Sequence, residues 1–165
     1  MGLMEGKIKE RAELAKIVGR LKAEGKRIVF TNGCFDIIHR GHIHCLKEAK
    51  RQGEVLIVGL NSDASVRDIK GESRPLIPQE DRAAILAALS CVDFVVIFDE
   101  PTPLELIKLL KPHILVKGGD YKKDDIVGAK EVEAWGGRVV TVPLVPGTST
   151  SSIIERIRNF TRPAV

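Results

Sequence analysis

Short apolar runs that alternate with amphipathic segments constrain the fold of this chain most strongly. The apolar runs are rich in β-branched residues and occupy 27–31, 55–60, 93–98, 114–118 and 138–143. Helical spacing of apolar residues occurs at 41–52, 62–68, 79–90, 103–110, 128–135 and 150–159. Continuously apolar strands separated by helices are typical of a parallel sheet that is covered on both faces. The pattern predicts a doubly wound α/β three-layer sandwich with a five-stranded parallel sheet.

The chain length suits one domain. A chain of 165 residues buries roughly 70% of its unfolded surface on folding, so we expect a single domain over residues 1–165. The domain should begin with an amphipathic helix at about 7–24, which Gly25 follows as a stop signal. The apolar face of this predicted helix consists of Ile8, Leu14, Ile17, Val18 and Leu21.

Charge and cysteine content narrow the classes of function. The chain has 26 basic and 22 acidic residues, mixed along its length, and only 4% aromatic residues. Nucleic-acid binders concentrate basic residues and add stacking aromatics, so we expect a phosphate-bearing small ligand and no nucleic-acid partner. Three cysteines without a C-x-x-C spacing indicate a reducing compartment. Because no apolar run is long enough to span a bilayer, we expect a cytoplasmic protein without a membrane partner.

The segment after the first predicted strand, TNGCFDIIHRGHIHC, has the position of a phosphate site. It places Gly33, Asp36, His39, Gly41 and His42 in the strand-to-helix turn and the first turn of the helix. Backbone N–H groups and the helix dipole favour an anion there. Neither G-x-G-x-x-G nor G-x-x-x-x-G-K-[ST] occurs in the chain, so nicotinamide binding and P-loop hydrolysis lose their usual support.

His39 and His42 are candidates for catalysis. They are three positions apart, so on a helix they share a face and can donate two N–H groups to one phosphate chain. Such donors stabilise the charge that develops in phosphoryl-group transfer, and Gly41 between them permits close approach of a nucleotide. The alternative is a zinc site with Cys34 and Cys45, although that spacing matches no zinc signature and we expect no metal ligands in the chain. The remaining histidines, His44 and His113, are interpreted as structural or solvent-facing.

This segment resembles the HIGH-type nucleotidyltransferase superfamily. The superfamily pattern G-x-F-D-x-x-H-x-G-H is matched by Gly33, Phe35, Asp36, His39, Gly41 and His42. The resemblance implies that His39 and His42 contact the triphosphate of ATP, with Asn32, Gly33, Phe35 and Gly41 in the nucleotide site. It also implies that Asp36 orders the site near the phosphates and that Mg²⁺ accompanies the nucleotide.

Further segments are similar to the adenylyltransferase domain of ADP-heptose synthase. They are NSDASVRDIKGESRP at 61–75, VDFVVIF at 92–98, LVKGGDY at 115–121 and GTSTSSII at 147–154. This resemblance implies that ATP and D-glycero-β-D-manno-heptose 1-phosphate are the substrates and that the protein acts as a homodimer. The sugar-kinase half of the bifunctional members is missing from this sequence, so we expect either a stand-alone form that works beside a separate sugar kinase or an isolated domain. Glycerol-3-phosphate cytidylyltransferase shares the first motif and a similar hydroxyl-rich ending, and is the competing assignment. A nucleotide-sensing module and a basic DNA-binding protein are the alternatives outside this class.

Three basic residues outside the first motif are candidate phosphate ligands. Lys70 and Arg74 border a Gly- and Pro-containing segment at 70–78, which we expect to be mobile and to close over the triphosphate. The alternative is that both are surface cations. Arg82 lies on a predicted helix. The resemblance implies that it binds phosphate, and the alternative is a surface ion pair near Glu80 and Asp81.

The remaining candidates follow predicted strands or precede the last helix. In KGGDY, glycines permit a tight turn, and the polar residues are placed to meet phosphate or sugar hydroxyls. The hydroxyl-rich segment at 147–151 caps the last helix, binds phosphate, or does both. The predicted nucleotide ligands in these segments are Lys117, Gly118, Gly147, Thr148, Ser149 and Thr150. The predicted sugar-phosphate ligands are Asn61, Asp63, Asp120 and Tyr121.

Overall fold

A computed structural model describes residues 6–161 of the chain. The strands are β1 (Ile28–Gly33), β2 (Val55–Asn61), β3 (Phe94–Phe98), β4 (Ile114–Gly118) and β5 (Arg138–Val142). The α-helices are α1 (Arg11–Ala23), α2 (Arg40–Arg51), α3 (Asp63–Lys70), α4 (Gln79–Ala88), α5 (Leu104–Leu110), α6 (Ala129–Ala134) and α7 (Thr150–Thr161). A 3₁₀ turn at Lys123–Asp125 lies between β4 and α6.

The five strands form one parallel sheet in the order β3-β2-β1-β4-β5. The central strand β1 pairs with β2 on one side and with β4 on the other. The chain therefore winds outward in one direction through β2 and β3, then returns to the centre and winds the other way through β4 and β5. The point of reversal between β1 and β4 is where doubly wound folds bind ligands, beyond the carboxyl ends of the strands.

Two apolar clusters cover opposite faces of the sheet, which confirms the predicted three-layer sandwich. One cluster joins α1, α5 and α6 to one face through residues such as Leu14, Ile107 and Val132. The other joins α2 and α4 to the opposite face through residues such as Leu46 and Leu86. Successive residues of β1 contribute to opposite clusters, as side chains of a strand must. A strand that is buried on both faces lacks alternating polar residues. The continuously apolar runs in the sequence are therefore the signal for these strands.

The predicted start of the N-terminal helix at residue 7 is wrong by one turn. Residues 7–9 instead run parallel to the edge strand β3: the N–H of Val95 donates to the carbonyl of Lys7, and the N–H of Lys9 donates to the carbonyl of Val95. The ammonium of Lys7 donates to the carbonyls of Leu89 and Val92. These contacts satisfy part of an otherwise open sheet edge, so α1 begins only at Arg11.

Within residues 6–161, no helix combines the length and the apolar character that crossing a membrane requires.

Candidate active site

The candidate site lies at the carboxyl ends of β1 and β4, beside the point where the strand order reverses. β1 ends at Gly33 and its connection leads into α2, while β4 ends at Gly118 and leads into the KGGDY turn. The sequence predictions at these two strand ends are therefore neighbours in the fold. The segment before α7 packs onto the same connection, because a Cβ atom on Gly41 would lie 2.6 Å from the Thr148 hydroxyl. Three segments distant in sequence thus converge at one edge of the sheet.

His39 and His42 form a reciprocal cap at the start of α2. The N–H of Gly41 donates to Nδ1 of His39 at 3.1 Å, and the N–H of His39 donates to Nδ1 of His42 at 3.3 Å. The two rings stack with their centroids 3.8 Å apart. An imidazole whose Nδ1 accepts a hydrogen bond carries its proton on Nε2 when neutral. Both histidines are therefore held as Nε2–H donors.

Burial keeps this pair neutral. The pKa of His42 is lowered to about 4, chiefly because the ring is removed from water and secondly because His39 lies beside it. Burial also lowers the pKa of His39 below its ordinary value. At neutral pH each ring is an uncharged donor, which suits the stabilisation of phosphate oxygens without proton abstraction.

The protonation state of His42 can be measured directly. We expect its NMR titration to have a midpoint well below 6.5, near 4, with the Nε2–H tautomer at neutral pH. Because the unfolded chain then binds more protons than the folded chain between these pH values, the free energy of unfolding should fall as the pH is lowered through this window. A His42 midpoint at or above 6.5 would contradict the proposed neutral donor.

The connection between β1 and α2 is strained on both sides of Asp36. Phe35 and Ile37 both have a φ of 47°, a left-handed conformation that β-branched residues such as Ile37 rarely adopt. The Phe35 ring folds back over Gly33, where a Cβ atom would come within 3.1 Å of it. The same ring lies 5.3 Å from the His42 ring. Gly33 therefore admits the Phe35 ring that packs beside His42, and strain of this kind is concentrated at functional sites.

The hydroxyl-rich segment before α7 has a capping role. Ser149 accepts a hydrogen bond from the N–H of Ser152, which makes it the N-cap of α7. Thr148 donates to the carbonyl of Val145, and Thr150 donates to the carbonyl of Asp36 at 2.7 Å. The second of these bonds ties the amino terminus of α7 to the histidine connection. The positive ends of two helix dipoles, those of α2 and α7, thus meet at the site.

Asp36 is buried and its carboxylate binds protein groups. Arg74 Nε and the N–H of Leu76 donate to Oδ2, and the N–H of Ile77 donates to Oδ1, each at 2.9 Å. Burial alone would raise the pKa of Asp36, but these three donors lower it below its ordinary value. Arg74 is mostly buried in this pair. The predicted mobile segment is therefore anchored at residues 74–77, and Arg74 is not a free surface cation.

The structure excludes the alternative that Arg82 forms a surface ion pair near Glu80 and Asp81, and its predicted phosphate-binding role stays a prediction. Arg82 is fully buried, and its guanidinium donates to one carboxylate and three carbonyl groups. The acceptors are Asp63 Oδ1 at 2.7 Å and the carbonyls of Cys34 at 2.6 Å, Asn61 at 2.9 Å and Ile77 at 2.8 Å. Arg82 therefore ties the ends of β1 and β2 to α3 and α4.

Lys70 and Lys117 are the predicted cationic phosphate ligands that form no ion pair with a protein carboxylate within the described part of the chain. Burial lowers the pKa of Lys117, and nearby Lys70 lowers it further. Both ammonium groups also act on the thiol of Cys34, whose pKa burial raises. Two cations thus lie near the end of β1 without a protein anion to balance them. A ligand that carries negative charge would supply the missing partner.

The predicted sugar-phosphate ligands fall into two groups. The side chain of Asn61 is buried and donates to Ser65, while Asp63 pairs with Arg82, so both already have protein partners. Asp120 and Tyr121 are exposed, and the Tyr121 ring lies 5.6 Å from the ammonium of Lys117. Of the four, Tyr121 is the one that an observed contact places beside a candidate phosphate ligand, Lys117.

The other predicted nucleotide ligands are glycines and one amide. Gly118 permits the end of β4 to approach α2, because a Cβ there would lie 3.1 Å from the sulfur of Cys45. Gly147 has a φ of 74° and forms the turn before Thr148. Asn32 is half-buried within β1. These residues shape the site edge rather than adding charge to it.

Sequence reasoning missed the backbone groups that organise the site. The N–H groups of Leu76 and Ile77 hold Asp36, and the carbonyl of Cys34 holds Arg82. Backbone donors and acceptors are present at every position, so residue identity carries no signal for them.

Comparison with known proteins identifies the class. The fold, together with an N-capping histidine pair at its switch point, defines a nucleotidyltransferase domain. The chain belongs to the cytidylyltransferase-like family, whose sequence profile matches residues 30–156. It is 60% identical over 153 residues to the bifunctional protein HldE of Pelobacter propionicus, covering 93% of this chain and 31% of that protein. It is 58% identical to HldE of Geobacter sulfurreducens with the same coverage. The chain thus spans about a third of the length of these relatives.

Two solved structures share this fold. A lipopolysaccharide core biosynthesis protein from Thermoplasma volcanium is 31% identical with a TM-score of 0.61, and the match covers 73% of this chain and 98% of that one. Pantoate-beta-alanine ligase from Francisella tularensis has a TM-score of 0.62 at 17% identity, covering 92% of this chain and 77% of that one. The second similarity concerns the fold alone.

Proposed function

We propose that this chain is an adenylyltransferase that transfers AMP from ATP to D-glycero-β-D-manno-heptose 1-phosphate and releases pyrophosphate. The observation that carries the proposal is the pair of neutral Nε2–H donors, His39 and His42, fixed by backbone N–H groups at the amino terminus of α2. The HldE relatives and the lipopolysaccharide core biosynthesis protein favour a sugar phosphate as the acceptor. The resemblance to ADP-heptose synthase in segments outside the histidine motif supports the heptose.

The proposed reaction depends on the positioning of the two substrates and on the stabilisation of negative charge, and not on proton transfer by a side chain. A phosphate oxygen of the sugar 1-phosphate attacks the α-phosphorus of ATP in line. The bond from that phosphorus to the bridging oxygen breaks, and pyrophosphate leaves with the electron pair. Because the attacking oxygen is already anionic, no side chain has to remove a proton. His39 and His42 would donate to the oxygens on which charge develops, and the dipoles of α2 and α7 would act in the same sense.

The cations of the site have separate proposed tasks. Lys70 and Lys117 would neutralise the triphosphate and the departing pyrophosphate, since their ammonium groups lack a protein anion within residues 6–161. Arg74 and Arg82, by contrast, already bind Asp36 and Asp63. Asp120 and Tyr121 would meet the hydroxyls of the sugar. A site built to hydrogen-bond hydroxyls discriminates against analogues that lack them.

Magnesium is proposed to accompany ATP, although the described residues do not fit a resident metal. Within 6–161, no three residues among His, Cys, Asp and Glu are grouped to hold an ion. Both carboxylate oxygens of Asp36 already accept donors from Arg74, Leu76 and Ile77. A magnesium ion would therefore be held by triphosphate oxygens and water, as is usual for this ion.

A second candidate function is cytidylyl transfer to glycerol 3-phosphate. The match to the cytidylyltransferase-like profile favours it, because that profile covers the histidine motif and the start of α7. The groups named above address the phosphates and the sugar hydroxyls, not the base of the nucleotide. The choice between ATP and CTP thus rests on the HldE relatives.

A pyrophosphate-release assay tests both candidates. The four nucleoside triphosphates are each combined with heptose 1-phosphate, glucose 1-phosphate and glycerol 3-phosphate. We expect ATP with heptose 1-phosphate to give the highest kcat/KM, and glycerol 3-phosphate to be poor because it offers fewer hydroxyls. Faster turnover of CTP with glycerol 3-phosphate would replace the heptose assignment by the second candidate. Absence of pyrophosphate release in every combination would contradict transferase activity.

The wider setting is also proposed. We propose a single domain that works in the cytoplasm as a homodimer beside a separate sugar kinase, with ATP and the sugar phosphate rather than nucleic acid or membrane as partners. The outer stripe of α7 supports an interface: Ile157 and Phe160 are 53% and 91% exposed. With Ile153 and Arg156, they line an open groove of about 320 Å³. Sedimentation velocity would report whether the chain is dimeric.

A further inference from the structure

We propose that Asp36 is a positioning residue that latches the loop at 71–78 onto the histidine connection, and that it does not itself bind nucleotide or metal. The latch joins two segments that are about 40 positions apart in sequence, as the separation of Asp36 from Leu76 shows. Its effect on catalysis rests on the proposed function. Its effect on the loop does not, because the latch is present without any ligand.

Most of the acceptor capacity of the Asp36 carboxylate is used by protein donors, and burial closes off the rest. Three donors of the loop, namely Arg74 Nε and the N–H groups of Leu76 and Ile77, occupy both of its oxygens at 2.9 Å. Asp36 is 1% exposed. A carboxylate that is buried and bound by two backbone N–H groups and a guanidinium is a strong, directional anchor. The backbone around Asp36 is also constrained, because Phe35 and Ile37 on either side of it adopt left-handed conformations.

Asp36 also reaches a third segment through its main chain. Its carbonyl accepts the Thr150 hydroxyl at 2.7 Å, which fixes the first turn of α7. One residue therefore connects the 71–78 loop, the histidine connection and the amino terminus of α7. The loop begins directly after Lys70, at the end of α3, so loosening the loop frees the segment that positions this lysine. The expected result is weaker triphosphate binding. In the wild-type protein the loop is already ordered before ATP binds, whereas in the variant the free-energy cost of ordering the loop would reduce the affinity for ATP.

Hydrogen exchange of the ligand-free protein tests the latch itself. In Asp36→Asn one acceptor oxygen remains, while the new NH₂ group faces donors that it cannot satisfy. The amides of Leu76 and Ile77 should then exchange roughly ten- to a hundredfold faster, as expected for lost hydrogen bonds to a charged acceptor. The matched control is Asp93→Asn. Asp93 also accepts from a lysine and a backbone N–H, Lys50 and Leu56, but precedes β3 at the opposite end of the sheet.

Asp93→Asn should leave exchange in the 71–78 loop unchanged. If Asp36→Asn fails to fold, Arg74→Ala provides the same measurement with only one of the three donors removed, and its loop amides should exchange several-fold faster. Unchanged loop exchange in a folded Asp36→Asn protein would overturn the latch. Without that folded variant, unchanged exchange in Arg74→Ala would overturn it.

Kinetics distinguish positioning from direct ligand contact. With ATP and heptose 1-phosphate, Asp36→Asn should raise KM for ATP by roughly tenfold and change kcat by less than about threefold. Asp36→Glu should fail to rescue KM, because the longer side chain misplaces its oxygens relative to Arg74 Nε and the N–H groups of Leu76 and Ile77. A fall in kcat of a hundredfold or more with KM unchanged would show that Asp36 acts on the reacting groups, and would overturn the proposal. If the wild-type chain released no pyrophosphate, the proposed function would fail while the exchange result would still decide the latch.

Discussion

Replacing His42 with alanine is expected to lower kcat by roughly a hundred- to a thousandfold while the protein stays folded. The substitution removes an uncharged Nε2–H donor whose task is to bind oxygens that gain negative charge in the transition state. The ring accepts the N–H of His39 through Nδ1, so a modest loss of stability at the start of α2 is also expected. The large effect should be on kcat, because the donor acts mainly in the transition state.

His39 requires a different substitution because it has a structural task as well. Its side chain is the N-cap of α2, and loss of an N-cap costs about 0.5–2 kcal/mol of stability. Asparagine is a good N-cap but is too short to replace the Nε2–H donor. His39→Asn should therefore retain most of the stability and lose turnover to a similar extent as His42→Ala, whereas His39→Ala should lose both.

The measurements for the histidine variants are steady-state pyrophosphate release and circular dichroism. His44→Ala is the matched control, because His44 is exposed on the same helix and should be replaceable with little effect. A folded His42→Ala protein with kcat within about threefold of the wild-type value would show that His42 does not stabilise the transition state, because loss of such a donor should lower kcat far more.

Replacing Arg82 with alanine is expected to reduce the free energy of unfolding by about 3–5 kcal/mol, as for other buried ion pairs that lose one partner. The substitution leaves the Asp63 carboxylate without its cation. It also leaves the carbonyls of Cys34, Asn61 and Ile77 without the donors that the guanidinium supplies. Lysine should not rescue the loss, because a single ammonium group lacks the planar array of donors that reaches four separate acceptors.

Urea unfolding measures this effect, and Arg67→Ala is the control. Arg67 is exposed on α3, so its removal should change stability by no more than about 0.5 kcal/mol. The resemblance to nucleotidyltransferases implies that Arg82 binds phosphate. A phosphate-binding role would affect KM for ATP, whereas the structural role described above would affect the free energy of unfolding. An Arg82→Ala protein with wild-type stability but a large increase in KM for ATP would favour the phosphate-binding role. It would contradict a structural role for the buried Arg82 guanidinium.

Much of the fold was predictable because each strand carries its own signal. The apolar runs of β1, β2 and β4 have no polar alternation, and in the structure they are buried on both faces. The failure at residues 7–10 has a physical cause. Ile8 fits the helical spacing of α1, yet it pairs with Val95 at an open sheet edge. Local periodicity contains no information about a free edge formed by a strand more than 80 positions away.

The candidate site was predictable only in part. The spacing of His39, Gly41 and His42 and their place after β1 follow from the sequence, because a strand followed by a glycine and a helix start is a local pattern. The tautomers of the two histidines could not be predicted from the sequence, because they depend on which backbone N–H groups donate to Nδ1. The roles of Arg74 and Arg82 were also hidden. Both are charged residues near predicted loops, and only their burial distinguishes them from surface cations.

The sequence by itself determined the order and type of the elements, the strand ends that carry chemistry and the resemblance to a nucleotidyltransferase family. These are properties of short segments and of residue types. The tertiary structure alone decided which charges remain available. It committed Arg74 to Asp36 and Arg82 to Asp63, and left Lys70 and Lys117 without a protein anion among the described residues. That division depends on distances between segments far apart in the chain, because a charge is bound or free only in relation to the groups that folding places beside it.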